Sequence, residues 1–172
     1  MNGYGKWVMI LAKMDIKGPE EYICKLSKMG NASTDICKRA VKAGANPVAD
    51  EMRKSIQALP EDTFRKLDDD EKFSGIPGTQ KKDLLDALGV TPVDVDREGI
   101  INAKIGFHGY GSHKTKKYPK GLPNKLLARA VDSGSSVRIK MPFVRNTVRK
   151  SKGQSLKAIE ASIDNDISKF DL

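Results

Sequence analysis

Histidine and cysteine are scarce, with two of each in 172 residues. His108 and His113 sit in a glycine-rich stretch, but a metal centre needs about three or four ligands. No cysteine is near them, and Asp132 is the only carboxylate between Lys104 and Lys152. A histidine base would need a nucleophile and an orienting carboxylate. Ser112 adjoins His113, yet nothing in the spacing builds a triad. No catalytic residue, metal or cofactor is therefore expected. Cys24 and Cys37 are too far apart for a CxxC motif and lack a histidine cluster, which fits a reduced, cytoplasmic setting. Aromatics make up only 6% of the chain. No RNA-binding aromatic pair, helix-turn-helix or zinc finger stands out.

Long apolar runs are also missing. The strongest, WVMILA at 7–12, is about a third of a membrane span. It ends at Lys13 without a cleavage-like small-residue site, so neither a signal peptide nor an anchor is expected. Acidic residues are scarce in one half only. Residues 1–100 hold 16 Lys and Arg against 17 Asp and Glu, whereas residues 101–172 hold 15 against 5. Between Lys104 and Lys152 there are 13 basic residues and one acid. Such asymmetry points to an anionic partner, or to a solubilising basic surface.

The apolar pattern predicts the elements. Trp7 to Met14 reads as a strand, and Gly18-Pro19 starts a helix that Gly30-Asn31 closes. A longer helix begins near Ser33. Ile36, Ala40, Gly44, Val48, Met52 and Ile56 recur every four residues, and Lys38, Arg39, Lys42 and Arg53 fall off that stripe. Pro47 should kink or interrupt it. The small residues Ala40, Ala43, Gly44 and Ala45 permit close approach of a neighbour.

Residues 60–76 read as a flexible loop carrying the acidic run DDDE at 68–71. That run lacks the alternating ligands and central glycine of a calcium loop. Lys81 to Leu88 is a short helix or turn, Val93 to Val95 a short strand, and IINAKIGF at 100–107 the clearest strand. A basic loop follows at 108–123, in which GYG at 109–111 is too short for a phosphate fingerprint. Asn124 can cap a helix running to Val131. Ser136 to Lys140 fits another strand. A terminal helix from Pro142 carries Phe143, Val144, Val148, Leu156, Ile159, Ile163, Ile167 and Phe170, with a break at Gly153. Segregated helices and strands imply an α+β fold, with a small, mostly antiparallel sheet packed against the long helix and the C-terminal helix. Residues 1–172 read as one domain.

The loop GSHKTKKYPKG at 111–121 is the leading candidate site. Lys114, Lys116, Lys117 and Lys120 flank Tyr118, a mixture that can lie along phosphates. It can equally meet an acidic protein patch.

Four blocks occur in order: PGTQKKDLLDALGVTP at 77–92, INAKIGFHGYGSHKTKKYPKGLPNKLLARAVDSGSS at 101–136, MPFVRNTV at 141–148, and the closing amphipathic helix. Together they resemble the tail-completion, or head–tail joining, morphogenesis proteins of long-tailed bacteriophages and their prophages. The similarity runs from about residue 20 onward and is strongest over 77–148. Gly78-Thr79 and Leu84 resemble the family's Thr-Gly…Leu element. Asp132, Ser133, Gly134 and Ser135 resemble its Glu-x-Gly-Thr turn. Pro142, Phe143, Val144 and Arg145 resemble its Pro-Phe-[Leu/Ile]-Arg block, and Asn146 and Thr147 depart from the Pro-Ala that follows.

The resemblance implies a structural virion protein rather than an enzyme, located in the tail or neck, with the host cytoplasm as its place during assembly. It would form a homo-oligomeric ring, hexameric in the virion and monomeric when isolated, at the head-proximal end of the tail. Its partners would be the tail terminator and the head connector, with no membrane involved. The lysine loop would face either genomic DNA in the channel or a ring neighbour. Asp132, Gly134, Ser135, Pro142, Phe143 and Arg145 would serve fold and assembly. The alternative is a sequence-independent double-stranded DNA-binding module.

Overall fold

The computed structural model describes residue 30 and residues 32–170. The strand expected at 7–14, the helix expected at 19–29 and Cys24 lie outside the described residues. In chain order the elements are α1 (Ala32–Gln57), α2 (Gly78–Ala87), β1 (Leu88–Val90), β2 (Asp94–Val95), β3 (Ile101–Asn102), β4 (Ile105–Phe107), α3 (Asn124–Ser133) and α4 (Phe143–Ile167). A single 3-10 turn, Ser168–Phe170, ends the described chain.

α1 begins where Ser33 Oγ donates to the Gly30 carbonyl at 2.6 Å. Asp35 in its first turn and Lys54 in its last suit the helix dipole. Pro47 does not interrupt the helix. Proline removes only the donor that would meet the Ala43 carbonyl. Val48, Ala49 and Met52, buried just beyond it, hold the following turn in place.

α4 lies antiparallel against α1. Arg39 pairs with Asp166 at 2.6 Å near one end, and Glu51 with Lys150 at 3.7 Å toward the other. Gly44 sets the closeness of the pair: a Cβ there would sit 2.6 Å from Ile159 Cγ1 and 3.2 Å from Ser155 Oγ. The small-residue run therefore does admit a neighbour. The face that α4 turns inward differs from the apolar stripe read in the sequence. Its buried middle is Thr147, Ser151 and Ser155. Thr147 Oγ1 donates to Ser55 Oγ at 2.8 Å, Ser151 Oγ to the Thr147 carbonyl at 2.8 Å, and Ser155 Oγ to the Gly44 carbonyl at 2.7 Å. Each hydroxyl thus keeps a partner on leaving water, which avoids the penalty of a buried unpaired polar group. This seam separates two apolar clusters. The smaller joins Ile36, Ala40 and Ile163. The larger gathers Met52, Ile56, Leu84, Phe107, Leu127, Val131, Phe143 and Val144. The break expected at Gly153 is absent, because α4 continues through it.

The strands form two small antiparallel ladders. β1 pairs with β4 in the register Leu88↔Phe107, Gly89↔Gly106, Val90↔Ile105. β2 pairs with β3 through Asp94↔Asn102 and Val95↔Ile101. The expected single strand at 100–107 is divided at residues 103–104. Thr91 explains the division: its Oγ1 takes the Lys104 N–H at 2.9 Å, while its own N–H donates to the Lys104 carbonyl at 2.8 Å. A side chain thus satisfies a donor that a continuous ladder would use. Leu88, expected as the end of a helix, instead opens β1. The α+β class read from the sequence holds, with α1 and α4 as the long helices beside these ladders. No helix among the described residues is long and apolar enough to cross a membrane.

Two predictions follow from the helix pair. Gly44→Val should lower stability by about 1–3 kcal/mol, read as a lower urea midpoint, and Ile159→Ala in the same chain should restore part of it. The second concerns acid. Arg39, with Lys169 adding to it, holds the Asp166 carboxyl below its ordinary range. That stability is present above the unfolded carboxylate pKa of about 4 and is lost as pH falls through the lower folded value. Wild type should lose more stability than Asp166→Asn as pH drops below about 4, measured by denaturation across pH.

Candidate functional site

The basic loop stands on a pinned neck. Gly111 N donates to the Leu122 carbonyl at 2.8 Å, Leu122 N to the His113 carbonyl at 3.0 Å, and Asn124 N to the Gly109 carbonyl at 3.1 Å. The two arms cross where only glycines fit. A Cβ on Gly121, whose φ is +105°, would lie 2.0 Å from the Gly111 carbonyl oxygen. One on Gly111 would lie 2.7 Å from Asp83 Oδ2. That carboxylate, carried by α2, accepts from Ser112 N at 2.8 Å and Ser112 Oγ at 2.9 Å. Asn124 does not cap α3 with its side chain. It is the first helical residue, and its Nδ2 donates to the His108 carbonyl at 3.0 Å.

Beyond the neck the chain folds back on itself. Thr115 N and Tyr118 N each donate to the other's carbonyl, at 3.2 and 3.1 Å. Lys114, Lys116, Lys117 and Lys120 are all exposed there. Among the described residues none of the four is in an ion pair. The Lys117 ammonium lies 5.7 Å from the centre of the Tyr118 ring. His113 rests against Phe64 with ring centres 5.4 Å apart, and Phe64 meets Phe73 edge-on at 5.6 Å. These contacts put the acidic 60–76 segment beside the basic loop. Within that segment Asp62 accepts from Ser74 N at 3.0 Å and from Arg65 Nη1 at 2.7 Å, and Arg65 also pairs with Glu71. The Ser74 N–H, with Arg65, holds the Asp62 carboxyl below its ordinary range.

A second group gathers at the α3–α4 junction. Gly134, with φ at +78°, turns the chain after α3. Ser135 N donates to the Arg138 carbonyl at 2.9 Å. Pro142 occupies the N-cap of α4 and offers no capping side chain. Asp132 supplies the cap from outside the helix: its Oδ1 accepts from Val144 N at 2.8 Å. Phe143 is buried against Phe107, ring centres 6.1 Å apart. Asp132, Gly134, Ser135, Pro142 and Phe143 are thus brought together, while Arg145 points outward, exposed and without an ion pair among the described residues. The four lysines share no hydrogen bond or ion pair with this junction.

Arg138 is the residue that sequence reasoning missed. Its guanidinium is buried and donates to the Gly75 carbonyl at 2.9 Å and to Gln80 Oε1 at 3.2 Å. Burial lowers its pKa, and Asp62 opposes the shift. The neighbours Val137 and Ile139 are instead 52% and 43% exposed. The usual alternation is inverted here, with the charge inward and the branched apolar residues outward. The strand expected at 136–140 is reduced to single bridges from Arg138 to Phe73 and Ser135. The Ser135–Arg138 turn curls the chain away before a ladder can extend.

A groove of about 520 Å³ opens between α1 and the chain after β1, with Lys38, Lys42 and Asn46 facing Val90–Val93. Among the described residues no three His, Cys, Asp or Glu side chains gather as a metal site. Cys37 is a free, half-buried thiol whose pKa burial raises.

Residues 20–109 match the family model described as "Bacteriophage HK97-gp10, putative tail-component". No curated protein and no solved structure matches the chain.

Arg138→Met should leave the Gly75 carbonyl and Gln80 unpaired and destabilise the fold by about 1–3 kcal/mol. Urea denaturation would measure it, and hydrogen exchange should show the 60–76 segment losing protection first.

Proposed function

Because the chain belongs to the HK97-gp10-like family of bacteriophage tail components, we propose that it is a structural subunit that forms a ring at the head-proximal end of the tail and joins it to the head connector. In this reading residues 1–172 act as one domain. The partners are further copies of the chain, the tail terminator and the head connector. Its chemistry is the making of interfaces, and it turns over no substrate.

The observation that carries the reading is the turn bearing Lys114, Lys116, Lys117 and Lys120. Four like charges held on a braced neck, with no ion partner of their own, repel one another in the free subunit. An anionic surface on a neighbouring component relieves that repulsion on docking. Asp132, Gly134, Ser135, Pro142 and Phe143 do a different job, fixing the angle at which α4 leaves α3. Arg145, exposed beside them, is available to a neighbour.

A second reading is a sequence-independent double-stranded DNA-binding module. The Lys117–Tyr118 pairing within the bare lysine turn favours it, since cations beside an aromatic ring suit a phosphate backbone.

Changing all four lysines to Glu tests both. Surface changes of this kind shift stability by only about 0.5 kcal/mol each, so the variant should stay folded with its thermal midpoint lowered by a few degrees at most. Electron microscopy should then show heads and tails accumulating unjoined, with infectivity near background. Normal joining by particles that lack the protein altogether would overturn the assembly role. For the DNA reading, log affinity for duplex should fall with log salt by about 0.9 per phosphate neutralised, so the variant should flatten that slope by up to about 3.6. No affinity for duplex at low salt would remove this second reading and leave the first standing.

A further inference from the structure

Among the described residues nothing explains Gly153. It sits in the interior of α4 on an exposed face, and a Cβ built there would meet nothing within 4 Å. Glycine is a poor helix former at such a position, and alanine would fit. Close approach by something outside the described fold would account for it.

The residues around it have a definite pattern. At about 100° per residue, Arg145, Arg149, Gly153, Leu156, Glu160 and Asp164 fall within one arc of about 100° on α4, whose edge near the C-terminal end also holds Ile163, buried against Ile36 and Ala40 of α1. Arg145, Arg149 and Asp164 are exposed, and Leu156 and Glu160 are half-buried. Among the described residues none of these four charged groups is in an ion pair. α1 pairs with the neighbouring Lys150 and Asp166 and packs against Ser155, Ile159 and Ile163 alongside this arc. The order of charge also opposes the helix dipole, with cations in the N-terminal half and acids in the C-terminal half. Helix stability therefore does not account for it.

The pattern is self-complementary. Positions 145 and 164, 149 and 160, and 153 and 156 are pairwise equidistant from one midpoint. Two copies of α4 laid antiparallel about that midpoint set Arg145 against Asp164 of the second copy and Arg149 against its Glu160. Leu156 then lies over Gly153, where the missing side chain leaves room. We infer that this face of α4 binds a second copy of the chain about a two-fold axis, along a contact about 28 Å long. An isologous contact closes at two copies. It is thus a state of the free subunit, in place of the isolated monomer that the resemblance implies, and it does not rest on the assembly reading.

Sedimentation equilibrium of the full chain tests the pairing. A monomer–dimer equilibrium is expected at low ionic strength, shifting to monomer at about 1 M NaCl, where screening reaches about 3 Å. Arg145→Glu with Arg149→Glu should weaken self-association by at least about tenfold, and so should Glu160→Arg with Asp164→Arg, because like charges then oppose. An equimolar mixture of the two variants should pair again, since each reversed half meets its opposite. Circular dichroism checks that both remain folded; where one does not, Arg149→Gln or Glu160→Gln replaces it and should weaken pairing several-fold. A chain that stays monomeric at low salt, a dimer indifferent to the reversals, or folded variants that fail to pair when mixed would overturn the inference. Open-ended oligomers would overturn it too, by making the contact head-to-tail. None of these results bears on whether heads and tails join.

Discussion

The described fold depends on how closely α1 and α4 approach at Gly44. A side chain at that position would occupy the space held by Ile159 and Ser155. Once the backbones are this near, Ile159 fills the space over Gly44, and the buried middle of α4 beside it is made of hydroxyls. Thr147, Ser151 and Ser155 are tolerated there because each finds an oxygen within hydrogen-bond reach. Packing then continues on either side as two apolar clusters. The charges at the flanks, Arg39 with Asp166 and Glu51 with Lys150, agree with the antiparallel sense. The looser Glu51–Lys150 pair adds little energy, whereas Asp166 is buried beneath Arg39, and the reversed sense would set like charges together.

Much of this architecture was legible in the sequence. The fourfold recurrence from Ile36 to Ile56 marked the buried face of α1, and Gly44 within it marked the close approach. Phe143, Val144 and Ile163 of the α4 stripe are buried as read. The central hydroxyls were not legible, since Ser and Thr carry no hydrophobic signal and become interior only when a partner oxygen is supplied, from α1 for Thr147 and Ser155 and from α4's own backbone for Ser151. Pro47 and Gly153 misled for a related reason: local propensity gave way to tertiary packing. The division at residues 103–104 turned on Thr91, ten positions and more upstream, whose side-chain bond leaves no periodic trace.

The candidate site was legible unevenly. The lysine turn stood out as composition, and the structure adds its neck, built on Asp83, Gly111 and Gly121. The junction motif separated into two kinds of residue. Asp132, Gly134 and Phe143 act within the fold, whereas Arg145 faces outward. Nothing in the sequence distinguished them, because a capping aspartate and an exposed arginine look alike until the helix start is placed. Membership of a phage tail-component family gives both kinds a setting, since a virion subunit must hold one shape while presenting surface to others.

The buried Arg138 guanidinium ties the carbonyl of Gly75 and the amide of Gln80 to a point some sixty residues later in the chain. During synthesis, the segment before α2 therefore lacks this one of its anchors until the ribosome has released that arginine, and has only nearer contacts such as Phe64 with His113 and Glu61 with Lys81. A nascent chain halted short of the α3–α4 junction would carry a long helix with its apolar stripe uncovered, and aggregation rather than slow maturation would be its fate.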